Sequence, residues 1–358
     1  MQDEGRTNTT PDEASVEAQA EIPVKASVGR EVERAYTAES NEYAYTQESH
    51  TPQKPSLLLS PRFCAPILML LVGALVLICG GVSFSGSGVD MYLSFVSVQL
   101  IAFVLPCVFY VRYRSLDIRE RVRVRLPAPD KIMFIVLCSL ILVVLSMTMS
   151  AVGGVFGNVY EDRYSHIEYT EQGVAEAIYY AVCFAVIPAV CEELTFRGII
   201  MSELQSTSVG GAVIVSSLFF AMVHFDPATL PFCFLSGLVL SMCAYAADSI
   251  IASFFAHMLY NLFALFGGEI VSRVTRSIDS PELIAIVLGA LLLFFFILAF
   301  GECHRIYYSY ARKNKDSAYA PKYKNSSAAV RFASVLLSPG VILVSVLYVI
   351  AALIKYNT

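Results

Sequence analysis

Val182-Cys183-Phe184-Ala185-Val186-Ile187-Pro188-Ala189-Val190-Cys191 is apolar throughout, and Glu192-Glu193-Leu194-Thr195-Phe196-Arg197 follows it directly. Two carboxylates and a guanidinium thus close a segment with the composition of a membrane helix. Each charge at the centre of such a helix costs about 2.5–3.5 kcal/mol on insertion scales. Charges kept at that cost point to a use. The stretch reads as half of a membrane-embedded site, with the other half at Phe220–His224 and His257–Asn261.

The surrounding chain supports a membrane setting. Of 358 residues, 56% are hydrophobic and 15% charged, against roughly 45–50% and about 25% in an average soluble domain. The formal net charge of −5 is uneven. Residues 1–50 hold eleven acidic and four basic side chains, which leaves a slightly basic remainder. No basic face on a soluble module is present, so nucleic acid is not an expected partner. The nine cysteines include no Cys-x-x-Cys pair and lie mostly in apolar runs. They read as small buried hydrophobes.

Residues 1–60 are acidic and rich in Ser, Thr, Glu and Ala, the composition of a disordered cytoplasmic tail. Residues 61–358 read as the transmembrane domain. The first apolar run begins near Phe63, so no cleavable signal peptide is expected to open the chain. A spanning helix needs ~20 mostly apolar residues. Candidates lie at about 64–84, 90–111, 131–152, 174–198, 208–225, 230–247, 249–267, 282–301 and 332–354. The fold class expected is all-α, a polytopic membrane helical bundle of about eight to nine transmembrane helices. Seven basic residues fall between 112 and 131 and seven between 305 and 331. The positive-inside rule puts both loops in the cytoplasm. Six spans separate them, so the two assignments agree, with the N-terminus inside. The acidic loop 153–172 then falls outside.

Glu193 and Arg197 are four apart, carboxylate first, the favourable order for an ion pair on one helix face. Glu192 points about 100° away. Arg197 can therefore hold Glu193, while Glu192 remains for proton transfer; a low-dielectric site would make it a better base near neutral pH. A packing ion pair at the membrane interface is the bland alternative. Of five histidines, His50, His166 and His304 fall in the tail or loops and read as solvated. His224 and His257 lie in apolar surroundings. His257 and Asn261 share a face, and an Asn N–H suits a developing oxyanion. Phe220 shares a face with His224, as an ordinary packing residue or a cavity wall.

Glu192-Glu193-x-x-x-Arg197, Phe220-x-x-x-His224 and His257-x-x-x-Asn261, in order on successive membrane segments, resemble the CAAX-protease and bacteriocin-processing (CPBP, or Abi) intramembrane endopeptidases, relatives of the CAAX prenyl endopeptidase. The resemblance covers a catalytic core at 174–267. It implies a peptidase acting on a membrane-associated peptide or protein substrate within the lipid bilayer. Glu192 would be the general base, activating water with His224. His257 and Asn261 would stabilise the oxyanion, and Glu193 and Arg197 would orient Glu192. No cofactor is expected. The rival chemistry is a zinc site of Glu192, His224 and His257, against which stands the lack of a His-Glu-x-x-His helix.

Two other classes stay open: a non-enzymatic immunity or scaffold protein of the same fold, and a transporter. The second is weakened by the absence of an internal repeat. The lack of organelle signals favours a bacterial plasma membrane. One geometric requirement is unmet by the span list, because Glu192 and His224 must reach the same depth. That expectation calls for a long fourth helix, reaching about Leu204, and a fifth that starts late or breaks near Pro227.

Overall fold

The computed structural model describes residues 60–80, 89–155, 173–268, 271, 280–312 and 327–357. The tail with His50, and His166 in its acidic loop, lie outside these residues. The described residues form helices and turns, with no strand among them. The helices are α1 (Pro61–Gly80), α2 (Val89–Arg114), α3 (Ile132–Val155), α4 (Val174–Gln205), α5 (Val209–Met222), α6 (Leu230–Ala247), α7 (Ile250–Phe266), α8 (Pro281–Arg312), α9 (Ala328–Leu336) and α10 (Pro339–Asn357). The protein is an all-α polytopic membrane bundle.

Among the described residues, five helical stretches are long and apolar enough to cross a membrane: Tyr92–Arg114, Pro129–Val152, Val174–Gln205, Leu230–Ala247 and Pro281–Ser309. A sixth arises if α9 and α10, bent by 41° at Leu337–Ser338, count as one span. Phe63–Cys79, Val209–Met222 and Ile250–Phe266 are apolar but shorter. The expected eight to nine spans are therefore reached only by counting these. α8 also differs from its expected range, running on to Arg312, so His304 is an exposed helical residue rather than a loop residue.

Two of the long helices change pitch in their interior. In α2 a π-helical turn, Leu100–Val104, comes just before Pro106. In α4 one at Val182–Val186 comes just before Pro188, and a second spans Leu194–Met201. An interior proline removes a ladder N–H and crowds the preceding turn. A π-turn re-registers the ladder around such a defect, and it is often found at functional sites.

The second half of α4 is the centre of the bundle. Glu192, Glu193 and every residue from Thr195 to Gln205 are buried. α2, α5 and α7 pack around it, and α6 and α3 close the other side of α5 and α7. α8 packs mainly on α3, with Phe294, Ile297 and Phe300 turned outward, as suits a helix facing lipid.

The segment between α2 and α3 does more than carry charge. Arg125 Nε and Lys131 Nζ donate to the carbonyls of Asp248 and Ala247, at 2.8 and 2.9 Å, capping the C-terminus of α6. Arg114 reaches Glu203 of α4 at 2.8 Å, and Arg123 bonds Gln205. The Ile250 amide donates to the Arg123 carbonyl at 3.2 Å. Asp248 takes the left-handed conformation, and Ser249 then caps α7 by accepting from the amides of Ile251 and Ala252. The strap thus gathers the ends of α2, α4 and α6 and the starts of α3 and α7 at one end of the bundle.

Candidate active site

Depth measured from that common end brings the motif residues together. α4 continues to Gln205, so Glu192 lies thirteen residues from its end. α5 begins at Val209, and His224 follows its last turn, fifteen residues on. At ~1.5 Å per residue both lie about 20 Å from the strap. The long fourth helix is what makes this work. α5 ends before Pro227 rather than breaking there.

One cavity is lined by Glu192, His224, His257 and Asn261, together with Phe220, Tyr260, Ser236 and apolar side chains. It holds about 560 Å³ of empty space, counting its open mouth. Glu193 and Arg197 are not among its lining residues. They sit behind it, both about 1% exposed.

The buried pair is closely held. Arg197 Nη1 donates to Glu193 Oε1 at 2.6 Å, Nη2 to the Gly237 carbonyl at 3.1 Å, and Nε to Ser241 Oγ at 3.4 Å. Its guanidinium also stacks 4.5 Å above the Phe220 ring. A buried ion pair is tolerable when its remaining hydrogen-bonding groups are satisfied; here every guanidinium nitrogen has a partner, while Glu193 Oε2 has none among the described residues. α6 can come close enough to supply that carbonyl because residue 237 is glycine. A Cβ there would lie 2.9 Å from Ser217 Cα and Cβ on α5.

The imidazoles are oriented by their Nδ1 atoms. Nδ1 of His224 lies 2.7 Å from the Phe220 carbonyl. A carbonyl only accepts, so Nδ1 carries the proton and Nε2 of a neutral ring keeps the lone pair. Nδ1 of His257 lies 3.0 Å from Glu193 Oε1 and donates to it by the same reasoning. The Phe220 ring stands edge-on to both, 5.2 Å from His224 and 5.7 Å from His257. Asn261 Nδ2 donates to the Ala185 carbonyl at 3.4 Å, in the first π-turn of α4.

The second π-turn is also tied down. Ser216 of α5 donates to the Phe196 carbonyl at 2.8 Å. Thr195 Oγ1 bonds the Cys191 carbonyl at 2.8 Å and lies 3.2 Å from Cys107 Sγ of α2. Gly198 lets the strap close on α4, since a Cβ there would meet Val122 Cγ1 at 2.8 Å.

Among the described residues no three His, Cys, Asp or Glu side chains are arranged to hold a metal ion. No step below is routed through a metal.

Sequence reasoning missed the α6 contribution: Ser236, the Gly237 carbonyl and Ser241. The available signal was a run of small and polar residues, Ser236-Gly237 and Ser241, in an otherwise apolar helix, the pattern of close helix approach.

Residues 174–263 match the family model described as type II CAAX prenyl endopeptidase Rce1-like. No curated protein and no solved structure matches the chain.

Proposed function

We propose that this Rce1-like segment, of the CAAX-protease family, is the catalytic core of an intramembrane endopeptidase in which Glu192 activates water. The observation that carries the reading is the shared cavity of Glu192, His224, His257 and Asn261, drawn from two helices and one turn. A binding protein has no need of a carboxylate base, an imidazole acceptor and amide donors around one small space.

In this reading Glu192 takes a proton from water, with His224 Nε2 accepting a hydrogen bond from the same water. The water oxygen attacks the scissile carbonyl carbon, and the C=O electron pair moves onto oxygen. Asn261 donates an Nδ2–H to that oxyanion. His257 donates from Nε2 in its protonated form, with Glu193 holding its Nδ1–H. Glu192 then returns the proton to the leaving nitrogen, and the C–N bond breaks to give a carboxylate and an amine. No acyl-enzyme forms. Glu193 and Arg197 act at a distance from the substrate, positioning His257 directly and Glu192 through the helix they share.

The substrate is a membrane-associated peptide or protein, prenylated or bacteriocin-like. In this reading the basic strap faces the cytoplasm by the positive-inside rule, with a cytoplasmic N-terminal tail and a bacterial plasma membrane as its setting. Quantitative proteomics of membrane-protein termini, wild type against Glu192→Gln, tests this reading. New termini that depend on Glu192 are expected. Identical termini, with a phenotype that survives the substitution, would favour the scaffold reading.

A further inference from the structure

The cavity contains a polar group that the chemistry above does not use. Ser236 lies on the face of α6 that also brings Thr229, Cys233 and Leu240 to the cavity. It is 4% exposed, and its Oγ has no hydrogen-bond partner among the described residues. Serines within membrane helices commonly return their hydroxyl to the carbonyl one turn back. Ser139, Ser202 and Ser217 do so here, on Ile135, Gly198 and Val213. Ser236 does not, so a residue that lines the cavity carries a buried, unsatisfied hydroxyl, an arrangement a folded protein rarely keeps without a use.

Its position is held by its neighbour. The Gly237 carbonyl binds Arg197 Nη2, and residue 237 approaches Ser217 without room for a methyl group. α6 is thereby fixed against the buried ion pair, and Ser236 with it.

Few hydrogen-bond donors reach the cavity beside Asn261 and protonated His257, although Tyr260 also lines it. Glu192 accepts only. The Nδ1–H groups of His224 and His257 go to Phe220 and Glu193, and one Nδ2–H of Asn261 goes to Ala185. Thr229 Oγ1 donates to Asp226 Oδ2 at 2.7 Å. A developing oxyanion is best served by more than one fixed donor.

We propose that Ser236 is a further catalytic residue, whose Oγ–H donates to the scissile carbonyl oxygen as it gains negative charge, beside Asn261. The proposal rests on the peptidase reading above. Ser236 forms no covalent bond, and its proton stays on Oγ.

The test uses the full chain purified into liposomes. The probe is a quenched-fluorophore peptide ending in a farnesylated Cys-a-a-X sequence. Ser236→Ala is expected to lower kcat about 100-fold while KM stays within about twofold. Its thermal unfolding should be unchanged or slightly higher, because removing an unpartnered buried hydroxyl relieves the folded state. Ser236→Thr should recover most of the rate. A peptidyl aldehyde of the same sequence, whose hydrate mimics the tetrahedral intermediate, should bind Ser236→Ala about 100-fold more weakly than wild type.

Wild-type kcat and aldehyde affinity in Ser236→Ala, with Glu192→Gln inactive, would overturn the Ser236 assignment and leave the peptidase reading standing. A loss of activity matched by a fall in thermal stability would assign Ser236 to structure and likewise overturn it. Undiminished cleavage by Glu192→Gln, or a wild-type protein that neither cleaves the probe nor binds the aldehyde, would overturn both.

Discussion

Nδ1 of His257 lies 3.0 Å from Oε1 of Glu193, the same oxygen that Arg197 Nη1 reaches at 2.6 Å. One carboxylate oxygen thus links an ion pair on α4 to an imidazole on α7. The link sets which nitrogen of His257 bears the proton, and it makes the ring's orientation depend on a charge pair sealed from water. Glu193 is in this sense a second pivot of the site, one residue from the proposed base.

Removing that carboxylate charge should cost the fold as well as the reaction. Glu193→Gln leaves Arg197 buried without its counter-charge. Breaking one member of a buried pair costs about 3–5 kcal/mol. A clear fall in thermal unfolding temperature is expected, measured by fluorescence in detergent. Arg197→Lys should not rescue stability, because one ammonium cannot replace a planar group bonded to Glu193, Gly237 and Ser241 at once.

Gly237→Ala should act through helix separation. Its methyl would meet Ser217 Cα and Cβ at 2.9 Å, so α5 and α6 must move apart. Overpacking of this kind costs about 1–3 kcal/mol. It should also draw the Gly237 carbonyl away from Arg197. Stability and turnover are expected to fall together, unlike in Ser236→Ala next to it.

Phe220→Leu keeps an apolar side chain but removes the ring that meets both imidazoles and lies under Arg197. A desolvated cation–π contact is worth about 2 kcal/mol. The larger expected effect is looser imidazole placement, lowering kcat about 10- to 100-fold with little change in KM. Steady-state kinetics with the peptide probe would check it.

Prolonged dialysis against a strong zinc chelator should leave the rate of cleavage unchanged. Loss of activity restored specifically by stoichiometric zinc would contradict a route that uses only Glu192 and water.

Glu192, His224, His257 and Asn261, which share the cavity, could be picked out because charge and imidazole stand out in apolar sequence, and because i,i+4 spacing fixes a shared helix face. The Glu193–Arg197 pair is a local consequence of that spacing. The His257–Glu193 contact joins residues 64 apart and depends on how α7 packs on α4, which no local pattern encodes. The same holds for Gly237 and Ser241. Span number was harder for another reason. Hydropathy marks apolar helices well, but it separates a full crossing from a shorter buried helix such as α5 or α7 only weakly, since both are apolar all round. The basic segment after α2 reads as a solvated loop by composition, yet Arg114, Arg123, Arg125 and Lys131 bind helix ends. Capping geometry of that kind appears only when the ends have been brought together. Pro106 and Pro188 each follow a π-turn, a change of pitch that needed coordinates to see.

The central claim is that Glu192 is the base, and its most direct test is the single-turnover rate of purified Glu192→Gln on the farnesylated peptide. Gln keeps the shape and removes the proton acceptor. The rate is expected to fall at least about 1000-fold, with unfolding temperature and peptide affinity unchanged. A variant that cleaves within a few-fold of wild type would contradict it.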